Sequence, residues 1–164
     1  MKSFQFNTTA GLRVGSGRST DTVPEVLSKL GKRILFITDP GLKKLGLIDK
    51  TIEALKTNSE IIIFDRVEAD PSLKTLMSVV DVGKDFNATG VIGFGGGSSM
   101  DVAKLCALII GSNEDIEEAW GVANAKGPRL PLVLYPTTAG TGSEVTPISI
   151  ITVGGDEKKG VSSP

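Results

Sequence analysis

Eleven residues, Val91-Ile92-Gly93-Phe94-Gly95-Gly96-Gly97-Ser98-Ser99-Met100-Asp101, carry the strongest chemical signal in the chain. An apolar run leads into three successive glycines and then into hydroxyl side chains. That pattern predicts a buried strand, a glycine turn and the first turn of a helix. Glycines accept positive φ and let backbone approach a ligand closely. Their N–H groups, together with the start of a helix, form a seat for an anion such as a phosphate. Ser98 is expected to cap the helix, with Asp101 three residues on completing a capping box. The same residues also fit a tight strand-to-helix turn with no ligand.

Two more segments could cooperate with that turn. Pro136-Thr137-Thr138-Ala139-Gly140-Thr141-Gly142-Ser143-Glu144 is rich in hydroxyls and glycine and nearly free of bulk. Thr137, Thr138, Thr141 and Ser143 can donate to phosphate, ribose or carboxamide groups, or bond locally to their own backbone. Asp39, after an apolar run, is the right type to accept from ribose hydroxyls, and equally a turn former in Asp39-Pro40-Gly41. The order is unusual for dinucleotide binding. The ordinary fingerprint is GxGxxG with an acid about 20 residues later, whereas here the acid precedes the glycines and Ser98 breaks the spacing. Glu144 has no partner acid at useful spacing, so a structural role is expected. Lys158 and Lys159 read as exposed charges.

The absent residue types narrow the chemistry further. The 164 residues include no histidine and one cysteine. A Ser-His-Asp triad and a histidine-based zinc or iron site are therefore excluded within this chain. Cys106, inside Val102–Ile110, reads as a small core residue. One cysteine admits no internal disulfide and fits a reducing, cytoplasmic setting. A net charge of −1 offers no basic field for nucleic acid. No apolar run is long enough to span a bilayer, and the opening Met1-Lys2-Ser3-Phe4 begins no signal-peptide core.

The elements that must position these residues follow from periodicity. Phe4–Thr8 and Leu12–Val14 suggest a short hairpin around Ala10-Gly11. A helix is expected over Val23–Leu30, stopped by Gly31. Ile34–Thr38 is a continuous apolar strand, typical of a sheet covered on both faces. Asp49–Lys56 reads as helix and Glu60–Phe64 as strand. Asp70-Pro71 is expected to open a helix, Asp70 as N-cap, with Leu73, Leu76, Met77 and Val80 facing the core. After the strand Val91–Phe94 and the glycine turn, a helix runs to Ile110, and a shorter one spans Glu114–Trp120. Leu132–Tyr135 and Ile148–Val153 are the remaining strands. Strands alternating with helices predict an α/β fold: a parallel sheet with right-handed crossovers and helices on both faces. The length suits a single domain. Gly160–Pro164 resembles neither a helix stop nor a solvated tail, so the sequence reads as a chain cut in mid-course, with a natural short protein as the alternative.

Taken together, the chain resembles the iron-containing (group III) alcohol dehydrogenases. Gly93–Lys104 is similar to that family's glycine signature, and Pro136–Thr146 to its second signature. Thr38-Asp39-Pro40-Gly41-Leu42, Asp70-Pro71-Ser72 and Lys158–Pro164 fit at matching positions. The resemblance implies an NAD(P)-binding domain over residues 1–164, an α/β domain of Rossmann-like form with a parallel sheet and helices on both faces. It implies that Asp39 meets the adenosine ribose, favouring NAD over NADP because its charge repels a 2′-phosphate. Gly96, Gly97, Ser98, Ser99 and the helix start up to Asp101 would hold the pyrophosphate. Asp101 would cap rather than touch it, since two anions repel. Thr137, Thr138 and Thr141 would line the cofactor path, and Lys158 would lie near the nicotinamide ribose. The implied reaction interconverts an alcohol and an aldehyde or ketone by hydride transfer, with a small alcohol or carbonyl as substrate and a homodimer allowed. The family's catalytic Fe2+ or Zn2+ is held by one aspartate and three histidines of a helical second domain, and none of those positions exists here. This chain alone is therefore expected to be inactive. Related folds, glycerol dehydrogenase-like and dehydroquinate synthase-like enzymes, and a non-catalytic nucleotide-binding module remain alternatives.

Overall fold

The computed structural model describes residues 8–163. In chain order the elements are α1 (Arg18–Asp21), α2 (Val23–Leu30), β1 (Arg33–Ile37), α3 (Pro40–Lys44), α4 (Asp49–Lys56), β2 (Glu60–Phe64) and α5 (Leu73–Asp85). They continue with β3 (Gly90–Gly95), α6 (Gly97–Ser112), α7 (Ile116–Ala119), β4 (Gly121–Val122), β5 (Leu132–Pro136), β6 (Ile148–Val153) and β7 (Glu157–Ser162). Four strands form a wholly parallel sheet in the order β2-β1-β3-β5. The reversal of strand order falls between β1 and β3, which opens a crevice at their carboxyl ends.

Period-two alternation in β1 and β3 divides the core. Ile34, Phe36, Ile92 and Phe94 pack with α2 and α4 through Val26, Leu30, Ile52 and Leu55. Leu35, Ile37 and Val91 face the other way, onto α5 and α6. On the first face Phe36, Phe94 and Tyr135 form an aromatic ladder across three strands, with centroids 5.7 and 5.5 Å apart. On the second face β3 presents glycines, and α6 sits tightly against it. A Cβ built on Gly93 would lie 2.7 Å from the Ala103 Cβ. Nearly every residue of α6 between Ser99 and Ile109 is buried, so its polar exceptions, Asp101 and Lys104, stand out.

Several expectations are corrected. Leu12–Val14 forms no strand, and Phe4–Asn7, the greater part of the proposed partner arm, lies outside the described residues. Asp39-Pro40-Gly41 is not a plain turn: it opens α3, with Asp39 as N-cap and Pro40 as the first helical residue. The N-cap of α5 is Ser72, whose hydroxyl accepts from the Thr75 N–H at 3.2 Å. Asp70 instead adopts a left-handed backbone, φ 51°. Met77 is exposed, and Val79 takes the core position beside Leu76 and Val80. The strand β6 does not extend the parallel sheet. It pairs antiparallel with β7, which pairs with β4, in a separate three-stranded sheet. β7 has the sequence Glu-Lys-Lys-Gly-Val-Ser, which carries no apolar alternation; its partner strand supplies the pairing.

Candidate functional site

The parallel order places the ends of β1, β3 and β5 side by side, which brings the three suggestive segments together. The Thr137 N–H donates to the Gly95 carbonyl at 2.9 Å, stitching the start of the hydroxyl-rich loop to the glycine turn. A cavity of about 530 Å3 opens here. Asp39, Gly96, Gly97, Ser98, Ser99, Thr137 and Thr138 all line it.

Its floor is the start of α6. The N-cap is Gly96, with no side-chain hydrogen bond, and the first turn holds no acidic residue. Ser98 is the second helical residue, so the expected Ser98–Asp101 capping box is absent. The Met100 N–H donates to the Gly96 carbonyl at 3.1 Å, so the N–H groups of Gly97, Ser98 and Ser99 precede the helical ladder. The helix dipole adds positive potential at this point. The glycines are sterically required on one side only. A Cβ on Gly95, whose φ is 155°, would lie 2.6 Å from the Ser99 hydroxyl and 3.3 Å from the Asp39 Oδ2. One on Gly97 would meet nothing closer than the Thr141 Cγ2 at 3.5 Å, so the space that Gly97 leaves open is not needed for packing.

The opposite wall is acidic and apolar. Asp39 Oδ1 accepts from the Leu42 N–H at 3.0 Å, so the capping and ligand readings of Asp39 use different oxygens. Leu42, Leu45 and Val67 add apolar surface. Glu68 also lines the cavity and went unnoticed in the sequence. It accepts from the Ser72 N–H at 3.0 Å and from the Thr75 hydroxyl at 2.7 Å. Burial raises the Glu68 pKa, but these donors together outweigh it and hold the carboxyl below its ordinary range.

Three predicted site residues lie outside the cavity lining. Thr141 lies beside the glycine turn, 3.5 Å from where a Cβ on Gly97 would stand, and its hydroxyl donates to Glu144 Oε2 at 3.2 Å. Lys158, on β7, forms an ion pair with Asp70, the residue that follows the cavity-lining Ala69. Asp101 lies outside the cavity lining and turns to the loop and β6. Its Oδ2 accepts from the Ile150 N–H at 3.0 Å, and its Oδ1 takes the Ser143 hydroxyl and, at 3.1 Å, the Lys104 ammonium. Lys104 also donates to the carbonyls of Ser143 at 3.0 Å, Thr146 at 3.4 Å and Ile148. Burial pushes the Lys104 ammonium below the usual lysine range, while Asp101 pulls the other way. A lone lysine in the apolar run Val102–Ile110 was the available signal for this role.

Cys106 is fully buried, and burial drives its thiol pKa upward, as expected of an inert core residue. Among the described residues no three His, Cys, Asp or Glu side chains stand together to hold a metal ion, and no helix is long and apolar enough to cross a membrane.

Comparison with known proteins identifies the family. The family model for iron-containing alcohol dehydrogenase matches residues 12–164. The chain is 36% identical over 152 residues to the sulfoacetaldehyde reductase of Bilophila wadsworthia, covering 91% of this chain and 39% of that protein. It is 40% identical over 144 residues to long-chain-alcohol dehydrogenase 1 of Geobacillus thermodenitrificans, covering 85% and 36%. The crystal structure of sulfoacetaldehyde reductase from Bifidobacterium kashiwanohense in complex with NAD+ superposes with a TM-score of 0.84. That match has 26% identity and covers 99% of this chain and 44% of the other. The chain thus spans well under half the length of these relatives. With the parallel sheet, the glycine turn and the family match all in agreement, the chain belongs to the iron-containing alcohol dehydrogenase family.

Proposed function

We propose that this chain is a single nicotinamide-dinucleotide-binding domain of an enzyme that interconverts an alcohol and an aldehyde or ketone. The observation that carries this reading is the cavity, which sets an uncapped helix N-terminus against two carboxylates. A dinucleotide carries the complementary chemistry, an anionic pyrophosphate beside neutral ribose hydroxyls. In this reading the free N–H groups of Gly97, Ser98 and Ser99 hold the pyrophosphate, and Thr138 and Ser98 add hydroxyl donors. Asp39 accepts from the adenosine ribose through the oxygen that the α3 cap leaves available. Leu42, Leu45 and Val67 form an apolar wall for the adenine. With Asp39 and Glu68 both at this wall, a 2′-phosphate is disfavoured, so the reading commits to NAD over NADP.

When bound, the nicotinamide supplies the hydride acceptor or donor. This chain's part is to bind and orient it, with Thr137, Thr138 and Thr141 beside its path and Lys158 assigned to the nicotinamide ribose. The metal that the family name implies finds no fitting residues here: there is no histidine and no described cluster of ligands. No step through a metal is assigned to these residues. The relatives' names share an alcohol or carbonyl group, so the proposed substrate class is an alcohol or carbonyl compound. A cytoplasmic setting accords with the single buried cysteine.

Calorimetric titration with NAD+ tests the reading. Saturable one-to-one binding that ADP competes away is expected. No binding at millimolar NAD+ overturns it.

A further inference from the structure

The 137–147 loop contributes no strand or helix, and most of it is exposed. Yet it must stay beside the glycine turn if Thr137, Thr138 and Thr141 are to act there. Its tethers are few. The Thr137 N–H bonds to Gly95 at the start of the loop. Thr8 adds one exposed bond to the Val145 carbonyl at 3.2 Å. The Ser163 N–H donates to the Pro147 carbonyl at 3.0 Å at the end of the loop. Among the described residues, the other hydrogen bonds from the loop to the fold converge on two side chains one turn apart on α6.

Asp101 and Lys104 are only 15% and 12% exposed. Between them they take up the Ser143 hydroxyl, the carbonyls of Ser143, Thr146 and Ile148, and the Ile150 N–H. Apart from the Ser143 hydroxyl, these are backbone groups of a loop without secondary structure and of the β6 start, groups that need partners once covered. Charged hydrogen bonds in a sheltered site are stronger than neutral ones, and a shared network fixes geometry better than isolated bonds. Both side chains sit on the helix whose first turn forms the anion seat.

We infer that Asp101 and Lys104 are positioning residues, a clamp that fixes the hydroxyl-rich loop relative to the glycine turn so that both reach one bound dinucleotide. The clamp acts through the loop and touches no ligand. Its cofactor half rests on the function proposed above; its loop half does not.

The test compares Asp101→Asn, Lys104→Met, Lys104→Arg and Ser143→Ala in the 164-residue chain. Two readouts are taken: hydrogen exchange over residues 137–147 against exchange over β1 and β3, and the dissociation constant for NAD+. Asp101→Asn and Lys104→Met are expected to speed loop exchange about tenfold, with the sheet unchanged. They should weaken NAD+ about tenfold. Lys104→Arg keeps the charge and donors and should hold both readouts near those of the unaltered chain, a rescue that mere core filling would not give. Ser143→Ala removes one bond of the network, so it answers the question even if Lys104→Met fails to fold. Unchanged loop exchange in folded Asp101→Asn and Ser143→Ala overturns the clamp. Faster loop exchange with unchanged NAD+ affinity overturns its positioning role. If the unaltered chain does not bind NAD+, the dinucleotide reading falls, and the exchange readout alone upholds or overturns the clamp.

Discussion

Replacing Asp39 separates its capping of α3 from the ribose contact proposed for it. Oδ1 caps α3 through the Leu42 N–H, while Oδ2 lies toward Gly95 at the cavity. Asparagine caps helices about as well as aspartate, so Asp39→Asn should leave thermal stability almost unchanged. It removes the charge, and a hydrogen bond to a charged group exceeds a neutral one by about 1 kcal/mol. NAD+ affinity should therefore fall about fivefold. Asp39→Gly removes the acceptor entirely, a loss of about 1.5–3 kcal/mol, or roughly tenfold or more in affinity. Glycine at the cap costs only a few tenths of a kcal/mol, so the fold should survive. Both variants also remove the repulsion toward a 2′-phosphate, so NADP+ should gain relative to NAD+. The assay is calorimetric titration of each variant with both dinucleotides, alongside a thermal melt. An unchanged NAD+-to-NADP+ affinity ratio in well-folded variants would refute the ribose assignment and leave Asp39 as the α3 cap.

Three further outcomes follow from the geometry. Gly97→Val should leave the fold intact, since its Cβ meets only Thr141 at ordinary contact distance, yet weaken NAD+ and NADP+ alike; unaltered affinity for both would remove Gly97 from the anion seat. Gly93→Ala should destabilise by about 1–3 kcal/mol through overpacking, because its Cβ would meet Ala103 at 2.7 Å and Leu134 at 2.9 Å; a denaturant midpoint equal to that of the unaltered chain contradicts the close α6–β3 packing. Glu68 has its pKa held below the ordinary 4.5. Its stabilising contribution is therefore present above that pH and is lost as pH falls through the folded-state value. Glu68→Gln should lower stability at pH 7 and flatten the loss on acidification, and identical stability curves from pH 7 to pH 3 would show that its hydrogen bonds contribute nothing.

Continuous apolar strands, glycine stops and helical spacing are local signals. They placed β1, β2, β3, β5, α2, α4 and α6 to within a residue or two. Helix starts were harder. Asp70 and Ser72 are both good caps by residue type, and the choice fell to Ser72 through the Glu68–Ser72–Thr75 network, which joins the loop before α5 to its first turn. The same limit explains Ser98. A serine after glycines resembles a cap, but the tight approach of α6 to β3 starts the helix at Gly97.

What the sequence by itself determined is the parallel α/β frame and the chemistry offered at three strand ends: an acid, a glycine turn and a hydroxyl-rich loop. Those depend on residue type and on periodicity along a few neighbouring positions. Only the tertiary structure decided which groups meet. It put Asp39, Gly96–Ser99 and Thr137–Thr138 around one cavity and added Glu68. It kept Asp101 out of that cavity and joined it to Lys104 beneath the loop, and it set β6 against β7 in a second sheet. The physical reason is that strand order and side-chain direction depend on packing between segments distant in sequence, such as Arg33 with Thr89 and Lys104 with Ser143. A polar side chain's role is fixed by the partners that packing brings within hydrogen-bonding distance.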